Sequence, residues 1–202
     1  MDEWLFKWRG ALLAPVVLIV LFLAKPTLIS YLIGILVALL GEALRIWAVG
    51  YAGNPTRNNQ LTAPKLVTGG PYAHTRNPLY LGNCITALGF LIIACGGLNL
   101  VFRILVGAIF LLTYLPLYWR IILAEERFLQ KLFGEEYRTY CLQVPRVFPR
   151  LSPYPQAGGH FEVKSLWQAE SHTLIVFSLV AIVFALKILG LLHLGLGLKK
   201  IL

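Results

Sequence analysis

The chain has 202 residues, of which 58% are hydrophobic and 13% charged, against roughly 45–50% apolar and 25% charged in an ordinary soluble domain. That composition excludes a soluble globular enzyme and indicates an integral membrane protein, with room for four or five crossings at about 20 apolar residues each. The net charge of +9 is spread between the apolar runs, which fits anionic lipid headgroups better than nucleic acid.

Residues 1–10 carry Lys7 and Arg9 with Trp4 and Trp8, a basic, aromatic collar of the kind found where a helix meets headgroups. A first span is expected at about 9–24 and is read as an uncleaved signal anchor, because no small-residue cleavage site precedes Lys25. Lys25-Pro26 turns the chain into a second span at about 27–51, where Gly34 and Ala38 permit close helix packing. Near its end Glu42 and Arg45 share one helical face, either as an ion pair at the membrane boundary or as a polar lining of a site.

From Gly53 to Asn77 the chain is polar and broken by Asn54-Pro55, Asn58-Asn59, Pro64 and Gly69-Gly70-Pro71. A connection of that length points to a functional loop. A third span is expected at about 78–96, then a turn at Gly96-Gly97-Leu98-Asn99, then a fourth span at about 100–123 with a kink at Pro116. Glu125 to Gln143 reads as a separate interfacial amphipathic helix, with Phe128, Leu129, Leu132, Phe133, Tyr137 and Tyr140 at helical spacing. Residues 150–160 form a Pro/Gly-rich linker and 161–171 a short polar helix or loop. A fifth apolar run at about 173–194 is interrupted by Lys187, whose ammonium is expected to snorkel.

Lys and Arg concentrate on alternate sides of these spans, at Lys7, Arg9, Arg57, Lys65, Arg76 and then along Arg127–Lys164, with Lys199 and Lys200 against the trend. This places the polar segments before span three and after span four in the cytoplasm. Cys84, Cys95 and Cys141 form no CxxC, and the four histidines form no HxxxH pair, so reduced thiols and no metal site are expected.

Of nine acidic residues, Glu125, Glu126, Glu135 and Glu136 cluster where the fourth span leaves the membrane. Carboxylates there need cations or donors, supplied either by Arg76, Arg120 and Arg127 or by a bound ligand. Pro71 and Pro78 stiffen a segment holding Tyr72, Arg76, Asn77 and Tyr80, all hydrogen-bonding side chains.

These motifs resemble the membrane methyltransferases that include isoprenylcysteine carboxyl methyltransferase and the phospholipid N-methyltransferases. The resemblance rests on Leu66-Val67-Thr68, Gly70-Pro71-Tyr72, Arg76-Asn77-Pro78-Leu79-Tyr80, Glu125-Glu126, Phe133-Gly134-Glu135-Glu136-Tyr137, Tyr140 and Val144-Pro145. It covers about residues 45–150. Asn77 stands where the carboxyl methyltransferases usually have His, and Pro64 where they tend to have His before Leu-Val-Thr. An Asn before Pro is closer to the phospholipid methyltransferase pattern.

The resemblance implies an all-α, integral membrane bundle of about five transmembrane helices, with a cytoplasmic cofactor pocket and an interfacial helix. It implies a helical hairpin over 1–52, a methyltransferase core over 53–150 and a linker with a C-terminal hydrophobic helix over 151–202. The cofactor is then S-adenosylmethionine, held by Tyr72, Arg76, Asn77, Pro78, Tyr80, Glu125 and Glu126, with Arg76 and Glu126 at the reactive end. The partners are membrane lipids and a lipophilic or prenylated acceptor, either an isoprenylcysteine-type carboxylate or a phospholipid amine. Two alternatives stand beside it: an NADPH-dependent reductase, because sterol reductases resemble this fold near their C-terminal end, and a non-enzymatic membrane protein.

Overall fold

The computed structural model describes residues 2–53 and 63–191, with backbone alone for 2–7, 9–11, 164, 165 and 168. The Asn54-Pro55 and Asn58-Asn59 breakers, Arg57, the side chains of Trp4, Lys7 and Arg9, and the tail from 192 lie outside the described residues. The helices in chain order are α1 (Asp2–Leu23), α2 (Leu28–Ala52), α3 (Pro78–Cys95), α4 (Leu100–Ile109), α5 (Leu115–Phe133), α6 (Glu135–Gln143) and α7 (Val163–Ile188). A 3₁₀ turn at Gly70–Ala73 precedes α3, and a π-helical turn at Phe110–Tyr114 joins α4 to α5.

Among the described residues, four stretches are long and apolar enough to cross a bilayer: Leu28–Ala52, Pro78–Cys95, Leu100–Phe133 and Ala169–Ile188. In α1 a shorter apolar stretch, Leu12–Leu23, adjoins its polar first half. Exposed Leu and Ile line the outside of these helices: Leu28, Leu32 and Leu36 on α2, Leu100 and Ile104 on α4, Ile175 and Leu179 on α7. In water such a surface would be a liability; in hydrocarbon it is the face toward lipid, and the chain is a multi-pass membrane protein.

Small residues hold the centre together. Lipid tails are as apolar as leucine, so helices associate in a bilayer through close packing and not through burial from water. Gly34, Ala38 and Gly41 of α2 lie against Gly82, Thr86 and Gly89 of α3 in the most extensive helix contact of the chain. A Cβ on Gly89 would stand 2.5 Å from the Ala38 amide nitrogen and from the Gly34 carbonyl oxygen. Thr27 caps α2 in a reciprocal capping box with Ser30, and the Ser30 hydroxyl donates across to Ile93 O at 3.2 Å. The turn before α2 is tied to α3 by Lys25 N donating to Ala94 O at 3.0 Å.

Three sequence expectations shift. The fourth span does not stop at 123: a helical rod of 34 residues runs from Leu100 to Phe133, about 51 Å at 1.5 Å per residue. Glu125 and Glu126 therefore sit inside that rod, beyond an apolar core of roughly 30 Å. The break falls at Gly134, whose φ of 53° is open to glycine and strained for other residues, and α6 starts after it. The irregularity assigned to Pro116 is met one turn earlier by the π turn at 110–114, which widens the helix where the proline ring would clash with the preceding turn.

The last helix also differs. It begins at Val163, so the segment 161–171 is mostly its first turns. Lys187 has partners of its own: its Nζ donates to Leu21 O (2.7 Å), Phe22 O (3.3 Å) and Ala24 O (2.8 Å), closing carbonyls left open at the C-terminus of α1.

Candidate functional site at the polar end of the bundle

Two segments distant in sequence are laced together where α3 begins. Arg76 N donates to Pro145 O, Arg150 N to His74 O and Tyr154 N to Ala73 O, each at 2.9 Å. The buried Thr75 hydroxyl donates to Arg146 O (3.2 Å) and Val147 O (3.0 Å). Pro71 and Pro78 fix φ on either side, so residues 71–78 form a rigid strap that donates one backbone amide to, and accepts two backbone amides from, residues 145–154. The Tyr140 hydroxyl, donating to Tyr72 O at 2.7 Å, anchors the strap to α6.

Glu126 is the electrostatic centre. Its side chain is 10% exposed and receives Asn77 Nδ2 on Oε1 at 3.0 Å and Arg146 Nε on Oε2 at 2.9 Å. Arg146 Nη2 reaches the same Oε2 at 2.9 Å, and Arg76 Nε lies 3.5 Å from Oε1. Glu125 accepts the Tyr80 hydroxyl at 2.6 Å. Of the sequence-named residues, Arg76 and Asn77 thus meet at Glu126, Tyr80 meets Glu125, and Pro78 starts α3 beneath them.

Arg146 was missed in the sequence. It lies in the Val144–Pro149 stretch that reads as a helix stop, and nothing in its local pattern marks it; only the fold carries it back over the Trp119 ring, 5.2 Å from the centroid, to Glu126.

Burial tunes this end. It pushes the Tyr137 and Tyr140 phenols well above their ordinary value, aided for Tyr137 by the Glu126 carboxylate and for Tyr140 by Tyr72. Tyr72 is raised by burial and by Glu125, so all three remain neutral donors. For Arg76, burial alone would lower the pKa, but Glu126 and the Cys141 thiol, which Arg76 Nη1 meets at 2.6 Å, raise it overall. Among the described residues, two buried polar atoms beside Glu126 make no hydrogen bond: Arg76 Nε, which only ion-pairs with Glu126, and the Tyr137 hydroxyl. Next to the strap a cavity of about 200 Å³ is lined by Leu66, Thr68, Glu136, Thr139, Tyr140, Tyr154 and Gln156.

A multi-pass helical membrane protein with a rigid polar site at one end of the bundle is the class that these features define. The family model described as phospholipid methyltransferase matches residues 29–136, more than half of the chain, and the chain belongs to that family. The cobalt-zinc-cadmium resistance protein CzcN of Cupriavidus metallidurans is 30% identical over 148 residues, 73% of this chain and 56% of that protein. A probable protein-S-isoprenylcysteine O-methyltransferase of Oryza sativa, found alike in subspecies indica and japonica, is 33% identical over 125 residues, 60% of this chain and 61% of that protein. The chain thus spans 56–61% of the length of these curated relatives. No solved structure matches. The matched region contains the strap and the glutamate pair; Tyr140 and Arg146 lie beyond its end.

Proposed function

We propose that this chain is a methyltransferase that takes its methyl group from S-adenosylmethionine and gives it to a lipophilic acceptor reached from the bilayer. The observation that carries the reading is the donor and acceptor set gathered at one buried point: Glu126 hydrogen-bonded by Arg146 and Asn77 and ion-paired at 3.5 Å with Arg76 Nε, where among the described residues neither Arg76 Nε nor the Tyr137 hydroxyl makes a hydrogen bond. That set fits the donor chemically. An arginine N–H and a neutral phenol suit its carboxylate, and Glu125 suits its amine or a ribose hydroxyl.

Bound there, S-adenosylmethionine supplies an electrophilic methyl group on a sulfonium. The residues do the rest by positioning, which accounts for most of what such a transfer needs. Tyr72 and Pro78 hold the strap rigid, Asn77 and Arg146 fix the Glu126 carboxylate, and Tyr80 orients Glu125. Because the lone pairs of Glu126 are already taken by cations and an amide, it serves as an electrostatic brace for Arg76 more than as a base. The distribution of Lys and Arg supports a cytoplasmic position for this site.

The test is methyl transfer from labelled S-adenosylmethionine into a lipid extract by the purified protein. Label in the organic phase with wild type, and a loss of at least tenfold with Arg76→Leu, support the proposal. No transfer to any lipid or prenylcysteine acceptor by protein that is folded and monodisperse refutes it.

A further inference from the structure

Three large apolar side chains stand in the open at the polar end of the bundle: Leu142 is 82% exposed, Phe148 85% and Leu151 99%. Arg150 ties their segments together, its Nη1 donating to Gln143 O at 2.8 Å and its Nη2 to Ser152 Oγ at 3.0 Å. Exposed apolar groups gathered in one patch mark a docking surface, and the depth at which this patch sits names its occupant.

Tryptophans mark that depth. Trp47 follows the start of its span, Leu28, by 19 residues, and Trp119 follows Leu100 by 19, in each case about 28 Å along the axis. The hydrocarbon core is roughly 30 Å thick, so both half-exposed rings lie in the aromatic belt at its edge. Trp167, two residues before the Ala169–Ile188 span, joins them from α7.

The segment 146–150 lies across this belt. Arg146 stands over the Trp119 ring, and Val147 packs on the core cluster of Tyr80, Ile121 and Ile122. Arg150 O meets Nδ1 of His74 at 2.9 Å, and the His74 ring is 6.5 Å from Trp47. Val147 is taken up by the bundle, while its neighbour Phe148 is left open at the same depth. The patch is therefore continuous with the lipid-facing side of the long rod, where Leu112, Leu115 and Trp119 are exposed. An arginine among open apolar side chains suits the level where phosphates meet acyl chains.

The same segment also holds the strap. Pro145 O accepts the Arg76 amide at 2.9 Å, Arg146 O accepts the Thr75 hydroxyl at 3.2 Å and Asn77 Nδ2 at 3.0 Å, and Arg146 Nε donates to Glu126 at 2.9 Å. A force on residues 148–151 is thus felt one to three residues away at the electrostatic centre.

We propose that Phe148 and Leu151, with Leu142, form a wedge seated in the lipid leaflet, and that this seating keeps Arg146 on Glu126, so that lipid contact tightens the strap. The inference concerns how the site is assembled and stands whether or not the site transfers a methyl group.

The test uses the full-length protein in nanodiscs of phosphatidylcholine with phosphatidylglycerol. The photoreactive residue p-benzoylphenylalanine is placed in turn at Phe148, at Leu151, at Leu112 as the lipid-facing control, and at the exposed Gln156 beyond the strap as the aqueous control. After irradiation, mass spectrometry reads the adducts. Phospholipid adducts at Phe148 and Leu151 are expected at a level close to that at Leu112 and at least tenfold above that at Gln156. Adducts no more frequent than at Gln156 would overturn the wedge, as would adducts to a second copy of the chain in place of lipid.

The coupling is read by hydrogen exchange at the Arg76 amide. Because Phe148 and Leu151 touch so little of the chain, the pair Phe148→Ser and Leu151→Ser removes few contacts inside the protein. It is expected to speed that exchange at least tenfold, with Phe148→Leu close to wild type. Unchanged exchange in the double variant overturns the coupling. Where the double variant fails to fold, the adducts at Phe148 and Leu151 still decide whether the wedge lies in lipid, since an aromatic group replaces each exposed apolar one.

Discussion

Removing the charge of Glu126 tests the electrostatic centre of the strap. Glu126→Gln keeps the shape and an acceptor for Asn77, but leaves Arg76 and Arg146 without their anion. Breaking a buried ion pair from one side costs about 3–5 kcal/mol. The Arg76 side chain is 12% exposed and bears that cost nearly in full. Arg146 is 35% exposed, and water recovers much of its share. The net loss is therefore expected at about 2–4 kcal/mol. For a chain of this size a kcal/mol corresponds to about 2–4 °C, so the melting midpoint should fall by roughly 5–15 °C, read by near-ultraviolet circular dichroism in detergent. Pairing the change with Arg146→Gln should recover part of the loss, with a coupling of at least about 1 kcal/mol. A midpoint within about 2 °C of wild type, or strict additivity in the double variant, would refute the reasoning.

Gly89→Leu should separate α2 from α3, because even a Cβ at that position meets backbone at 2.5 Å; the expected outcome is loss of monodisperse protein on size-exclusion chromatography, with Leu88→Ala as the lipid-facing control. Lys187→Met should free three carbonyls at the end of α1 and cost about 1–3 kcal/mol, seen as faster proteolysis near residue 25 without loss of S-adenosylhomocysteine binding. Tyr72, Tyr137 and Tyr140 have phenols raised by burial, so their contribution to stability is fully present below the unfolded value near 10 and is lost as pH rises above it. The free energy of unfolding should be level from pH 7 to about 9.5 and then fall, by up to about 1.4 kcal/mol per pH unit for each phenol, and a triple Phe variant should lose most of that fall.

The apolar spans were legible because a run of about 20 apolar residues has few other uses, and the strap was legible because Pro71, Pro78 and the polar residues between them are a local pattern. The boundary between α5 and α6 was misjudged for a physical reason. Charge returns at Glu125, but Ala124 to Lys131 are mostly strong helix formers, so polarity changes nine residues before the helix ends at Gly134. The partners of the buried charges were not legible at all. Arg146 meets Glu126 across 20 residues and Glu170 meets Arg45 across 125, distances at which no periodicity survives. Glu42 and Arg45 were visible as a pair on one helical face, yet the sequence left open whether they only paired, and Glu170 of α7 joins them on Arg45. Lys187 read as a snorkelling residue because its neighbours are apolar; the carbonyls it caps belong to a helix more than 160 residues earlier.

The measurement that tests the central claim most directly is calorimetric titration of the purified wild-type protein with S-adenosylhomocysteine, with NADPH titrated into a second sample. Saturable binding of S-adenosylhomocysteine at one site per chain, weakened at least tenfold by Arg76→Leu and absent for NADPH, is the predicted result. Saturable NADPH binding with none for S-adenosylhomocysteine would contradict the account and assign the strap to a reductase.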